Sequence, residues 1–246
     1  YIEIKGELFK EAMGQALAAA QFSELRQELN NILLNFSLET LKFVATDSFR
    51  LAEKTIRGSE FSNHGMEEFR LLMPLKTAHE LVRVLKSEDA VKISRDAHQI
   101  LFQTAHLEFI SRLAEGTFPE YGEILPKKFG TEAVVGREEF IDALKLAGTF
   151  GSKSGEVRLR APEGKKAIEV FSADQALGEN TYLMPAEIHG AAAEAGFNWR
   201  YLVDGLKALR GSEAHIGFNK EENKPTLLKA KGDESYFYIV MPLLKT

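Results

Sequence analysis

Apolar and polar positions alternate with a two-residue period over residues 90–95, 99–104 and 106–113, and again over 214–219, 226–231 and 236–241, which predicts three strands in each half of the chain. A helical period precedes each triplet. In residues 75–86 the apolar positions Ala78, Val82 and Leu85 match Leu202, Leu206 and Leu209 in residues 199–210. Further upstream, residues 7–13 match residues 138–144, each opening an amphipathic helix after a short strand. Both halves read as strand, helix, three strands, a further strand, helix and three strands, and each copy is about 125 residues long. Runs of strands set between two helices predict an α+β fold: antiparallel sheets with helices on one face, in two repeated domains. The expected domains are residues 1–125 and 126–246. Between them, residues 115–130 hold Pro119, Pro126, Gly116, Gly122 and Gly130, which break regular structure. Phe118, Tyr121, Ile124 and Leu125 make this junction too apolar for a floppy linker, so an extended strap packed against both domains is expected.

One stretch repeats with its turn chemistry. Strand-like residues 41–45 and 49–56 flank Thr46-Asp47-Ser48, whose short polar side chains bond back to the backbone in tight turns. Val170-Phe171-Ser172-Ala173-Asp174 repeats the order of apolar strand, small residue and Asp. Either copy alone reads first as a plain surface hairpin; the repetition makes the stretch a candidate site.

Charge sharpens this picture. The chain has 246 residues, a formal charge of -5 and 44% apolar content, enough for a sizeable core but with no global attraction to nucleic acid. Lys76, Arg83 and Lys86 fall within about 80° of arc at ~100° per residue, and Arg200, Lys207 and Arg210 repeat them. Glu80 and Asp204 lie beside the two stripes. Each stripe is either an ordinary solvated helix face or a face that meets a polyanion, and its repetition in an acidic chain favours the polyanion.

Catalytic signals are weak. Gly151-Ser152-Lys153-Ser154-Gly155 lacks the Gly-Lys-Ser/Thr ending of a phosphate loop, and its serines miss the centre of a nucleophile elbow. The six histidines, His64, His79, His98, His106, His189 and His215, show no ligand spacing, so neither a metal nor any other cofactor is expected. Trp199 reads as a packing residue at a helix start. Without cysteine there are no disulfides or thiolate sites, and a reducing cytoplasm suits the chain. No apolar run approaches the ~20 residues of a membrane-spanning helix, and the given residues open on no signal-peptide pattern. From the start at Tyr1 without Met, further residues are expected to precede it.

Several motifs together resemble the bacterial sliding clamp family, the beta subunit of DNA polymerase III. Residues 44–52, Val-Ala-Thr-Asp-Ser-Phe-Arg-Leu-Ala, are similar to that family's V-A-T-D-G-H-R-L-A. Met73-Pro74-Leu75-Lys76 resembles its next strand-to-helix segment, and Gly116-Thr117-Phe118-Pro119-Glu120-Tyr121 resembles its interdomain G-x-F-P-D-Y. Phe197-Asn198 with Tyr201-Leu202, and Tyr238-Ile239-Val240-Met241-Pro242-Leu243, resemble its final helix and C-terminal strand. The family has three like-folded domains, of which this sequence is expected to hold the middle and last. The resemblance implies a non-enzymatic processivity factor for DNA replication: a homodimeric ring around double-stranded DNA, gripping no particular sequence, with helices lining its hole. Without a first domain the fragment is expected to be monomeric.

Partners in the family are the DNA polymerase III catalytic subunit, the clamp loader and other proteins carrying a short clamp-binding motif. Carried over by position, their peptide-binding pocket is implied at Leu29, Thr46, Ser48, Phe49, Arg50, Leu51, Pro119, Ile124, Asn198, Tyr201, Ile239, Met241, Pro242 and Leu243, with Leu227 aligned less firmly. The DNA-facing residues are Lys76, Arg83, Lys86, Arg200, Lys207 and Arg210. Ser48-Phe49 replaces the family's Gly-His, Glu123 stands where a base is common, Ser154 where an aromatic can line the pocket, and the ending at Leu243-Leu244-Lys245-Thr246 differs from Met-Arg-Leu. An altered motif preference is expected. Two other readings stay open: a peptide-binding scaffold of the same fold with no DNA role, and a small-molecule enzyme with a site assembled between the domains.

Overall fold

A computed structural model describes residues 1–151, 155–162, 164, 166–220 and 223–244. The chain divides into two compact units, Tyr1–Glu120 and Tyr121–Thr246. In the first unit the order is β1 (Ile2–Lys5), α1 (Gly6–Leu17), β2 (Asn31–Phe36), β3 (Thr40–Thr46), β4 (Arg50–Arg57), β5 (Phe61–Asn63), β6 (Phe69–Pro74), α2 (Leu75–Val84), β7 (Ala90–Arg95), β8 (Gln99–Gln103) and β9 (Glu108–Arg112). The second unit runs β10 (Thr131–Gly136), α3 (Arg137–Thr149), β11 (Glu156–Ala161), β12 (Ala167–Asp174), β13 (Gly178–Gly190), β14 (Ala193–Asn198), α4 (Trp199–Ala208), β15 (Glu213–Phe218), β16 (Thr226–Ala230) and β17 (Tyr236–Val240). The predicted α+β repeat is present, with one difference: the second unit has the four expected strands between its helices, and the first unit has five.

Each unit has two antiparallel sheets. In the first they are β5-β1-β7-β8-β9 and β4-β3-β2-β6. The second unit joins its two sheets through β13, whose first half pairs with β12 while its end pairs with β10. The first unit interrupts the corresponding strand. Its backbone leaves β4 in a 3₁₀ turn, Gly58–Glu60, and re-enters as β5. There Gly58 N donates to Glu39 O at 2.6 Å, and a Cβ at Gly58 would lie 3.1 Å from Leu38 O, so the close approach favours glycine.

Alternation puts one face of each sheet into a core. In the first unit Phe9 of α1 lies edge-on to Phe43 of β3 at 5.5 Å and 5.4 Å from Phe102 of β8, and all three rings are fully buried. Burial of each such ring contributes roughly 1.5–3 kcal/mol, and Phe9→Ala would cost about 3–5 kcal/mol through the cavity left behind. The units cap their second helices differently. Lys10 of α1 donates Nζ to Leu85 O at 2.7 Å beyond the end of α2. Beyond the end of α4, Arg137 donates Nε to Gly211 O at 2.8 Å and Nη1 toward Leu206 O and Leu209 O, each at 3.5 Å. A cation there satisfies helix-end carbonyls and opposes the negative end of the helix dipole.

Three local expectations are corrected. α2 stops at Val84 and α4 at Ala208, because Leu85 and Leu209 turn extended, with ψ of 135° and 149°. Both leucines are 2% exposed, so burying them takes precedence over another helical turn. Lys86 and Arg210 consequently follow the helices instead of lying on their faces. Phe49 leaves the strand predicted for residues 49–56 and stands 59% exposed at the hairpin tip. In the junction, Phe118 is 1% exposed, whereas Ile124 is 55% exposed and does not pack as expected.

Candidate functional site

In the first unit the stretch between β3 and β4 is organised by Asp47. Its Oδ1 accepts from Phe49 N at 2.9 Å and Arg50 N at 3.0 Å, while Oδ2 accepts from Arg50 Nε at 2.9 Å. The Arg50 and Asp47 side chains are only 7% and 6% exposed, so this is a buried, hydrogen-bonded ion pair whose partners depend on each other. Thr46 Oγ1 donates to Arg50 O at 2.7 Å and accepts from Ser48 N at 3.1 Å. Together these bonds hold Ser48 at φ 80°, a left-handed conformation that side-chain-bearing residues rarely adopt. Arg26 steadies the tip by donating Nη1 to Ser48 Oγ at 2.7 Å, and Nε to Glu28 Oε1 at 3.1 Å. The Glu28 carboxyl is held below its usual range, first by a backbone N–H and then by Arg26. Leu51 and Leu29 are buried, and Pro119 is half-buried.

In the second unit Asn198 caps α4, its side chain accepting from Arg200 N at 3.0 Å. Tyr201, in the first turn, accepts at its carbonyl from Tyr238 Oη at 2.9 Å. The segment after β17 returns to β14, where Leu243 N donates to Gly196 O at 2.8 Å. Pro242 is buried there, and Met241 and Leu243 are half-buried. Leu227 of β16 and Ile239 of β17 are direct cross-strand partners. Ile239 is 3% exposed, Leu227 half-buried and Ile124 open to solvent. Of the predicted pocket residues, Thr46, Ser48, Phe49, Arg50 and Leu51 lie together in the β3–β4 hairpin of the first unit, and Asn198, Tyr201, Leu227, Ile239, Met241, Pro242 and Leu243 lie on β14, α4, β16, β17 and the segment that follows in the second.

Of the basic residues, Lys76, Arg83, Arg200 and Lys207 are exposed on α2 and α4. Arg83 is engaged by Glu80 at 2.6 Å, which offsets part of the α2 charge. Arg200 stacks its guanidinium 4.8 Å from the Trp199 ring. Lys86 and Arg210 are exposed just beyond the helix ends. Ser152, Lys153 and Ser154, which include the weak phosphate-loop candidate and one of the family departures, lie outside the described residues, as do Lys245 and Thr246 of the divergent C-terminal ending. Arg26 went unnoticed in the sequence because a loop arginine 22 residues from its partner leaves no periodic signal.

Comparison with known proteins decides the family. The model of the DNA polymerase III beta subunit central domain matches residues 3–120, and that of its C-terminal domain matches residues 122–244. The chain belongs to the DNA polymerase III beta subunit family. Relatives of this chain include the beta sliding clamps of Synechococcus elongatus, 28% identical over 98% of this chain and 65% of the relative, and of Staphylococcus aureus strain Mu50, 27% identical over 98% and 63%. A DNA polymerase sliding clamp from Bacillus subtilis superposes with a TM-score of 0.93 at 26% identity, over 100% of this chain and 64% of that one. The DNA polymerase III beta subunit from Thermotoga maritima gives 0.90 at 26%, over 99% and 65%. The chain therefore spans about 65% of the length of the S. elongatus relative.

Proposed function

We propose that the protein acts as a sliding-clamp processivity factor in DNA replication, without enzymatic activity of its own. The observation that carries this reading is the match of two consecutive beta subunit domains, in order, over residues 3–120 and 122–244. The placement of exposed Lys76 and Arg83 on α2, and Arg200 and Lys207 on α4, supports a role facing duplex DNA. Such cations attract phosphates at long range and read no bases, so the protein can move along any sequence. Lys86 and Arg210 extend the same charge beyond the helix ends. In this reading two copies close a homodimeric ring, and retention on DNA is topological. The work is done in the cytoplasm.

The partner surface of this proposal uses Leu29, Thr46, Ser48, Phe49, Arg50, Leu51 and Pro119 from the first unit. The second unit contributes Ile124, Asn198, Tyr201, Leu227, Ile239, Met241, Pro242 and Leu243. Its ligands are short motifs of the replicative polymerase, the clamp loader and other clamp-binding proteins. Two or three apolar anchors contribute ~1.5–3 kcal/mol each, and after the cost of ordering a flexible peptide the net affinity is about micromolar.

Two measurements test the reading. Reversing charge at Lys76, Arg83, Arg200 and Lys207 in the full-length protein is expected to cut retention on nicked circular DNA by about tenfold or more at physiological salt. Intact retention would leave a peptide-binding scaffold with no DNA role. Calorimetry with a peptide carrying a glutamine and spaced leucine and phenylalanine is expected to show roughly tenfold weaker binding for Met241→Ala and Tyr201→Ala. Unchanged affinity in both variants would overturn the pocket assignment.

A further inference from the structure

The outer face of the β16–β17 ladder in the second unit carries a feature that the proposed motif pocket does not absorb. Thr226, Leu228, Tyr238 and Val240 point into the core and are fully buried. Their alternates, Leu227 and Lys229 on β16 and Phe237 and Ile239 on β17, share the opposite face. Leu125 and Pro126, from the segment leading to β10, lie along that face and complete a cavity of about 170 Å³, with Tyr236 at its end. The volume is comparable to the roughly 150 Å³ apolar cavity known to accept a benzene molecule, so it suits one aromatic or branched aliphatic side chain. The mouth is polar. Lys229 Nζ pairs with Glu234 Oε1 at 2.8 Å, and Asp233 adds a second carboxylate, its Oδ1 accepting from Ser235 N at 2.7 Å. Two carboxylates against one ammonium leave the rim one negative charge in excess.

We infer that this cavity is an auxiliary subsite for a partner peptide, taking one leucine-sized or phenylalanine-sized side chain and, beside it, a lysine or arginine that meets Asp233 and Glu234. The inference rests on the motif-binding role proposed above, because Leu227 and Ile239 line the cavity and also belong to that proposed pocket. A partner whose motif is flanked by an apolar-basic pair can then be held at two places, which discriminates among partners sharing the same core motif. Charge complementarity selects the basic flank: an acidic flank would face the rim's excess carboxylate.

The experiment compares, by calorimetry on the full chain, a motif peptide of glutamine with spaced leucine and phenylalanine against versions extended at either end by Leu-Lys or Leu-Glu. One Leu-Lys extension is expected to tighten binding about tenfold, or about 1.4 kcal/mol, with Leu-Glu giving little gain. Phe237→Ser is expected to abolish the gain while leaving the unextended peptide's affinity unchanged. The double variant Asp233→Asn, Glu234→Gln is expected to erase the preference for Lys over Glu, and thermal melting establishes that both variants remain folded. If neither extension tightens binding, or if the gain survives Phe237→Ser, the subsite is overturned even though the motif peptide still binds and still responds to Met241→Ala. If the motif peptide itself fails to bind, the motif-binding role falls and takes the subsite with it.

Discussion

Two turns of like sequence, one in each unit, show what a shared motif fixes and what its surroundings add. At Asp174, Oδ1 accepts from Ala176 N at 2.8 Å and Leu177 N at 3.2 Å, two and three residues ahead. Asp47 makes the same pair of bonds to Phe49 N and Arg50 N. Turn formation thus needs only the aspartate and its offset. The differences lie in the residues downstream of each aspartate. In the second unit Gly178 adopts φ 94° without steric cost, and Leu177 stands 60% exposed at the tip. In the first unit a serine carries the positive φ, and the residue at the third offset is Arg50, buried against Asp47. The Thr46–Leu51 turn therefore holds a conformation that turn-making alone does not require.

The largest separation between the two turns is expected from removing the aspartates. Asp47→Ala should cost about 3 kcal/mol, because it leaves the Arg50 guanidinium buried without its carboxylate, whereas Asp174→Ala should cost about 1 kcal/mol. Urea unfolding of the two variants measures this, and equal losses would show that the Arg50 pair adds nothing. A smaller effect tests the same principle in the helices. Gly205 of α4 stands at the position of Leu81 in α2, both helices being ten residues long. A Cβ at Gly205 would lie 2.5 Å from the Tyr238 ring, so Gly205→Ala should destabilise by about 2 kcal/mol despite better helix propensity. A melting temperature unchanged or raised would mean that Tyr238 yields. The smallest effect is expected at Ser48. Ser48→Gly relieves the left-handed strain and gives up the Arg26 hydrogen bond, for a net gain of about 0.5 kcal/mol. A loss of stability would show that the Arg26 contact outweighs the strain.

Much of the architecture was legible in the amino-acid order. The alternation over residues 236–241 appears as β17, Tyr236–Val240, and that over residues 99–104 as β8, Gln99–Gln103. A sheet with one buried face imposes a two-residue period that local reading can detect. Helix ends were less legible, since Leu85 and Leu209 leave the helical path to fill the core, and a periodic pattern does not say which neighbour makes that worthwhile. The candidate site was legible as residue types in order. The Asp47–Arg50 pairing, the exposure of Phe49 and the brace from Arg26 were not, because each depends on a side chain's burial or on a contact between distant loops.

Sequence alone determined the duplication, the strand and helix order, the aspartate turns and the positions of the basic residues, since these arise from periodicity, propensity and hydrogen bonds spanning a few residues. Tertiary structure alone decided that Tyr238 occupies the space above Gly205, that Arg137 rather than a residue matching Lys10 satisfies the end of α4, and that Leu125 and Pro126 line one cavity with Leu227 and Phe237. Each of these is a contact between segments far apart along the chain. Its energy depends on volume and geometry that exist only once the sheets and helices have packed.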